Sequence, residues 1–232
     1  MNLLIKIAIF IVVDYFLFKS FGFLFGMIGV GITVARILYI LGFFRKPSIF
    51  RGAICDGIAF LKDYQGPIYK NGAAFEEALK IIKTFKLDQV KEGEEKYVVM
   101  GVYYDKPGEV EESKLRYSIG IYQKNKGFPS KPPEELQRYC ESNNYNYTEI
   151  PNTTALYSHW QYSTYFTMMN GIKKFNVELK KCLNDASFRK TYRLKPETKC
   201  NIILELYETD SNIAFYTPIL NEEKFRFYKK DK

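Results

Sequence analysis

The chain has few of the residues that metal sites and nucleophilic enzymes require. His159 is its single histidine, and its four cysteines form no C-x-x-C pair. Zinc sites are built from closely spaced cysteines and histidines, so no metal site is expected. No Ser-His-Asp or Cys-His set is indicated, because His159 directly precedes Trp160 in a predicted strand and is interpreted as structural. No glycine-rich phosphate loop is present either, so no cofactor is expected.

The cysteines and the charge give two further exclusions. The four cysteines are widely spaced, which indicates free thiols rather than a disulfide framework. They are Cys55, Cys140, Cys182 and Cys200. The formal net charge is +8, from 34 basic and 26 acidic residues, but it is dispersed along the chain. Nucleic-acid-binding domains show a denser basic patch, so DNA and RNA are not predicted partners.

The apolar residues are concentrated near the N-terminus. Residues 21–44 read FGFLFGMIGVGITVARILYILGFF, with Arg36 as the only charge. A helix of this length crosses a hydrocarbon core of ~30 Å. Arg45, Lys46 and Arg51 follow, and basic flanks stay on the cytosolic side. We therefore predict that residues 1–46 form a membrane anchor with one transmembrane helix, and that the domain after it faces the cytosol.

A second apolar run, residues 3–18, contains Lys6 and Asp14. A carboxylate in mid-membrane costs a few kcal/mol by insertion scales. The run is therefore interpreted as an interfacial segment or an imperfect second span, which would make a hairpin with 21–44. A signal peptide is the third alternative, but no small-residue cleavage site follows.

From residue 52 the pattern changes to that of a small α+β domain. The first half predicts a strand, an amphipathic helix with Asn71 as its N-cap, and a hairpin of two strands. The predicted ranges are 53–61, 73–87, 97–104 and 115–122. A connecting helix is expected at 132–142, where proline is placed for its start.

The second half repeats this order. It predicts a strand at 154–161, a long helix at 164–183, and a closing hairpin of 201–207 and 213–219. The two hairpins are similar, VVMGVYYDKP beside IILELYETDS. We predict a duplicated strand–helix–strand–strand fold with one antiparallel sheet and both helices on one face. The concave strand face or the seam between the two units is then expected to form a cleft.

At this point three motifs resemble the GyrI-like small-molecule-binding family. They are YQGPIYKNG before the first helix, VYYDKP followed by LRYSIG, and LELYE near the end. The resemblance covers about residues 47–220, and its strength lies in the order of the motifs. It implies a cleft for small amphipathic ligands and no obligatory metal. Residues 221–232 are left as a short basic tail.

The order of anchor and domain resembles a branch of that family found in the endoplasmic-reticulum membrane. That branch implies a receptor for selective autophagy, with ubiquitin-like autophagosome proteins as partners. The long tail that carries its aromatic-x-x-aliphatic motif is missing here. Tyr216-x-x-Ile219 fits the bare pattern, but it lies in a predicted strand. The alternative function is a membrane-tethered binder, or weak hydrolase, of small hydrophobic or cationic molecules.

Glu205 is the strongest candidate for a site residue. It alternates with Ile203 and Tyr207 on one face of a predicted central strand, where an acidic residue needs a partner or a wet cleft. The resemblance implies that this glutamate lines the ligand cleft. Aromatic walls would add cation–π contacts. The candidates for those walls are Tyr103, Tyr117, Trp160 and Tyr207. An enzyme is less favoured than a binding protein, although Glu205 with a tyrosine could also activate water.

Overall fold

The structure, a computed structural model, describes residues 3–89, 96–106, 108–124, 131–196, 198–209 and 211–228. The helices are α1 Leu3–Phe21, α2 Phe23–Ile40, α3 Gly72–Thr84, α4 Glu134–Ser142, α5 Tyr165–Asn184 and α6 Ala186–Thr191. The strands are β1 Phe50–Ile54, β2 Gly57–Gln65, β3 Tyr97–Tyr103, β4 Arg116–Lys124, β5 Asn146–Ile150, β6 Thr153–Gln161, β7 Ile203–Thr209 and β8 Asn212–Pro218.

The N-terminal region corrects one prediction. Gly22 has a φ of 82°, in the left-handed region that favours glycine, and it separates α1 from α2. α2 then ends at Ile40 and a turn follows, so the predicted helix over 21–44 is interrupted at one end and shortened at the other. Within the residues that the structure describes, no helix combines the length and the apolarity needed to cross a membrane. The prediction of a transmembrane helix is therefore not confirmed.

Eight strands form one antiparallel sheet, which confirms the predicted α+β class. The strand order is β1-β6-β8-β7-β3-β4-β2-β5. Strands at equal distances from the two edges are equivalent in the two halves. β1 and β5 form the edges, β6 and β2 come next, then β8 and β4, and β7 and β3 meet in the centre. The chain therefore contains two equivalent halves, which meet where β3 pairs with β7.

The edge strands differ from the prediction. The run predicted as one strand at 53–61 is divided at Cys55 and Asp56 into β1 and β2. β1 crosses to the other half and pairs with β6, and β5, which was not predicted, crosses back and pairs with β2. Each half thus supplies the outermost strand of the other, so neither half is a closed unit.

The sheet buries both of its faces. On one face, α3 packs over β3 and β4, while α5 packs over β6 and β8, which confirms that both long helices share a face. On the other face, Leu204 and Leu206 belong to a second core that includes Phe225. Phe225 lies in a short 3-10 turn, Glu222–Phe225, and is fully buried. Phe225 therefore covers part of this face, one of the two places where a cleft is expected, and a pocket of about 270 Å³ remains on it, lined by residues that include Val98, Leu206 and Tyr216.

Candidate functional site

The candidate site lies at the seam between the two halves, on the helix-covered face of the sheet. Glu205 stands in the middle of β7, and its ladder partner on β3 is Gly101. Only 2% of Glu205 is exposed to solvent. The seam was the second expected place for a cleft, and the structure puts a buried carboxylate there.

Two tyrosines act on this carboxylate, one from each half. The Tyr207 hydroxyl donates a hydrogen bond to Glu205 Oε2 over 3.0 Å. The Tyr103 hydroxyl, from the neighbouring strand β3, also lowers the pKa of this carboxyl group. Gly101 permits the approach of Tyr103, because a Cβ there would lie 3.1 Å from the Tyr103 ring and 3.3 Å from its hydroxyl oxygen. The two tyrosines are at equivalent positions of the two hairpins, VVMGVYY and IILELYE.

The N-terminal end of α3 covers the carboxylate. Asn71 Nδ2 donates to the Tyr103 hydroxyl over 3.2 Å, and the Phe75 ring packs edge-on against Tyr207 with 4.8 Å between centroids. Asn71 occupies the N-cap position of α3, as predicted, and its carbonyl accepts from Ala74 N, but its side chain makes no capping hydrogen bond. The side-chain amide of Asn71, the last but one residue of the motif YQGPIYKNG, instead binds Tyr103 at the site. We call Glu205, Tyr103, Tyr207, Asn71 and Phe75 the Glu205 cluster.

The aromatic wall continues away from the carboxylate. Tyr103 stacks on Tyr117 at 6.0 Å, and Tyr117 stacks on Tyr64 at 5.7 Å. The Tyr64 hydroxyl donates to Glu77 on α3 over 3.4 Å. Tyr69, from the same turn, is 61% exposed and is not in this stack. Tyr117 therefore forms an outer wall of the Glu205 cluster.

Trp160 is not part of the site, although it lies on the same face of the sheet. Its Nε1 donates to the carbonyl of Thr167 over 2.9 Å, and its ring packs against Gly171 in α5. One strand, β8, lies between it and Tyr207 in the ladder, since Trp160 pairs with Ile213 and Ile213 pairs with Tyr207. Of the five predicted residues, the structure gathers Glu205, Tyr207, Tyr103 and Tyr117.

Burial controls the electrostatics of the Glu205 cluster. Loss of solvent raises the pKa of Glu205 to about 7, and the hydrogen bonds from Tyr207 and Tyr103 lower it by less. Burial also raises the pKa of Tyr103 and of Tyr207 well above the usual value, with the nearby carboxylate adding to the shift. Both tyrosines are therefore neutral donors. Among the described residues, no lysine, arginine or histidine forms an ion pair with Glu205.

These properties define the chemistry of the Glu205 cluster. A carboxyl group that titrates near neutral pH can accept a proton or hold a cation. Neutral tyrosines orient it, and aromatic rings exclude water from it. The sequence pointed to Glu205 and the tyrosines by strand alternation, but it missed Phe75 and the role of Asn71. Phe75 was visible only as one apolar position of an amphipathic helix.

Comparison with known proteins gives likeness at the level of coordinates only. The chain matches no protein-family model and no curated protein. Among solved structures, SAV2435 bound to tetraphenylphosphonium is 10% identical, with 78% of this chain and 99% of that chain covered and a TM-score of 0.44.

Two further structures give similar values. The C-terminal domain of EcmrR is 13% identical, with 74% and 96% covered and a TM-score of 0.41. A hydrolase from Listeria innocua is 14% identical, with 76% and 94% covered and a TM-score of 0.43. At such identities, and with TM-scores below 0.5, these likenesses establish neither the family nor the activity of this chain.

The raised pKa of Glu205 predicts how stability depends on pH. The folded state holds the proton up to about pH 7, whereas an ordinary glutamate loses it near 4.5, so folding stability falls as the pH rises through this interval. Relative to Glu205→Gln, which cannot titrate, the wild type should lose about 3 kcal/mol of unfolding free energy between pH 4.5 and pH 7. Urea denaturation at pH 5 and pH 8 measures the difference.

Glu208→Gln is the matched control, because Glu208 lies on the same strand but alternation places it on the opposite face. It should keep the pH dependence that Glu205 produces. Identical pH profiles for the wild type and Glu205→Gln would contradict the assignment.

Proposed function

We propose that the domain binds small lipophilic cations and that Glu205 is their counter-ion. The observation that carries this proposal is a carboxylate only 2% exposed, hydrogen-bonded by neutral tyrosines, with no cationic partner among the described residues. An isolated buried charge is strongly unfavourable unless it is paired. A cation that entered the Glu205 cluster would supply the missing partner and lower the pKa of the carboxyl group.

The rings around Glu205 favour a lipophilic cation over a hydrated one. Tyr103, Tyr117, Tyr207 and Phe75 present aromatic faces and edges rather than water or further charges. Cation–π contacts in a desolvated site contribute about 2 kcal/mol, and apolar substituents add the free energy of their burial. A metal ion or a strongly hydrated ammonium ion would find too few oxygen ligands.

Access requires the N-terminal end of α3 to move. Two of its contacts lie directly over the carboxylate, namely Asn71 with Tyr103 and Phe75 with Tyr207. A ligand that replaces the Phe75 ring would break the second of these, while the salt bridge between Lys62 and Glu77 still holds the following turn of α3. The weak-hydrolase alternative would use the same residues and the same opening, and it stays the second candidate for this site.

The same residues support a proposal about family. All three motifs that resemble the GyrI-like family contribute to the Glu205 cluster, through Asn71, Tyr103 and Glu205. The finer resemblance is to testis-expressed protein 264, an autophagy receptor of the endoplasmic reticulum. It rests on motif order alone and stays a prediction, as do the cytosolic orientation and the ubiquitin-like partners. Tyr216 lies within β8, which pairs with β6 and β7, so its backbone is occupied.

A lipid surface is the second proposal, and the helices α1 and α2 support it. They pack against each other as a hairpin, with Arg36 over the Phe10 ring at 5.2 Å. Many of their large apolar side chains nevertheless remain exposed. They include Ile9, Ile11, Val12, Val13, Phe16, Met27, Ile28, Val30, Ile32 and Val34. Exposed apolar patches of this extent mark an interaction surface, and a hairpin with apolar residues on its outside fits acyl chains.

Tetraphenylphosphonium is the probe for the cation site, because it is a lipophilic cation without N–H donors. If only the ionised carboxylate binds it, affinity should rise roughly tenfold per pH unit below pH 7 and level off above it. Titration calorimetry at pH 5.5 and pH 8 measures this rise. Glu205→Gln should abolish the pH dependence and weaken binding at pH 8, whereas Glu208→Gln should leave both unchanged. Equal affinity in the wild type and Glu205→Gln would overturn the proposal.

Flotation with phosphatidylcholine vesicles tests the lipid proposal on the full chain. The wild type should float, because each apolar side chain that enters the acyl region contributes ~1.5–3 kcal/mol. Replacement of Ile9, Val13 and Phe16 by serine should sharply reduce the floated fraction. Serine at Leu79 and Val177, which are equally exposed on α3 and α5, should leave it unchanged. A wild-type chain that stays at the bottom of the gradient would refute lipid attachment.

A further inference from the structure

The hairpin is fixed to the domain by a set of contacts at the end of α2. Lys174, on α5, donates to the carbonyls of Gly42, Phe43 and Arg45 over 2.5–2.8 Å. Asn170 donates to the carbonyl of Leu41 over 3.3 Å. Because these partners are backbone carbonyls, the hydrogen bonds fix the backbone of residues 41–45 independently of its side chains. The side chains of Arg45 and Lys46 therefore project from a defined position at the base of the hairpin.

A pocket of about 630 Å³ opens at this position. Arg45, Lys46, His159, Trp160 and Asn212 are among the residues that line it. The Arg45 guanidinium lies 5.7 Å from the Trp160 ring centroid, and its Nη1 donates to the carbonyl of Gln161 over 3.0 Å. One hydrogen bond and one stacking contact thus orient the guanidinium, and most of its five N–H donors are left for the pocket.

The charge of this pocket is not balanced within the described part of the chain. Neither Arg45 nor Lys46 pairs with a carboxylate there, and Lys46 is exposed. Glu208, which contacts two residues of the pocket lining, already interacts with two donors. These are His159 Nδ1 at 3.5 Å and Asn212 Nδ2 at 2.9 Å. The pocket lining therefore combines an oriented guanidinium, a lysine and an indole, and none of the lining residues is acidic.

We propose that this pocket binds a phosphate group, with Arg45 as the forked donor and Lys46 as the second cation. An oriented guanidinium matches two phosphate oxygens at once, and lysine adds a point charge. The position at the base of an apolar hairpin suits the headgroup of an anionic lipid, and this choice of source rests on the lipid proposal above. A soluble phosphate ester would present the same chemistry. The site itself is independent of Glu205.

Trp160 makes the proposal directly measurable, because it is the only tryptophan of the chain and lines the pocket. Its fluorescence should respond in a saturable way when the full chain, held in neutral detergent, is titrated with inorganic phosphate at constant ionic strength. The second arm uses phosphatidylcholine vesicles with and without phosphatidic acid. A response to inorganic phosphate assigns the site to any phosphate, and a response to phosphatidic acid alone assigns it to a lipid headgroup.

Variants decide whether the response comes from this pocket. Arg45→Gln and Lys46→Gln should each weaken binding roughly tenfold. Lys46 makes no contact that folding requires, so its variant stays informative if Arg45→Gln folds poorly. Arg51→Gln and Lys80→Gln remove the same charge elsewhere and should leave the affinity unchanged. No Trp160 response to either probe, or equal losses in the pocket and control variants, would overturn the proposal.

Discussion

The pairing of β3 with β7 is the contact on which the rest of the structure depends. It joins the two halves of the sheet and sets Gly101 opposite Glu205. The two residues occupy equivalent positions of the duplicated hairpins, so the seam holds one carboxylate instead of two. A second carboxylate facing Glu205 would add like-charge repulsion to the cost of burial. Glycine removes that repulsion, and it also leaves the space through which the Tyr103 ring reaches across the seam.

The site is asymmetric because only one half contributes a carboxylate, although each half contributes a tyrosine to it. Tyr103 and Tyr207 are equivalent residues, and both act on the single carboxylate. The covering elements differ, since α3 contributes Asn71 and Phe75 directly, whereas Trp160 on the other side packs against α5 and the end of the hairpin. One half thus closes the Glu205 cluster and the other half fixes the N-terminal helices to the domain.

Local patterns predicted most of the fold and about half of the site. Amphipathic periodicity located α3 and α5, and alternation placed Glu205 and Tyr207 on one face of β7. The missing features are non-local. β1 and β5 are five residues long and gain their stability by crossing to the other half, which no local pattern reports.

The same distinction explains the errors at the site. A residue before a helix is most often a cap, so the contact of Asn71 with Tyr103 was hidden. Trp160 was assigned to the right face of the sheet but to the wrong place on it, because alternation gives the face and not the neighbours. The helix over 21–44 was read from apolarity, which does not reveal the break at Gly22.

The central claim is that Glu205 is a buried carboxyl group kept available for a cation. NMR of selectively labelled glutamate carboxyl groups, with Glu205→Gln to assign the signal, tests it most directly. The account predicts that Glu205 titrates near pH 7 in the free protein and at a clearly lower pH when tetraphenylphosphonium is saturating. Titration near the ordinary value of 4.5 in the free protein, or an unchanged midpoint with the ligand bound, would contradict it.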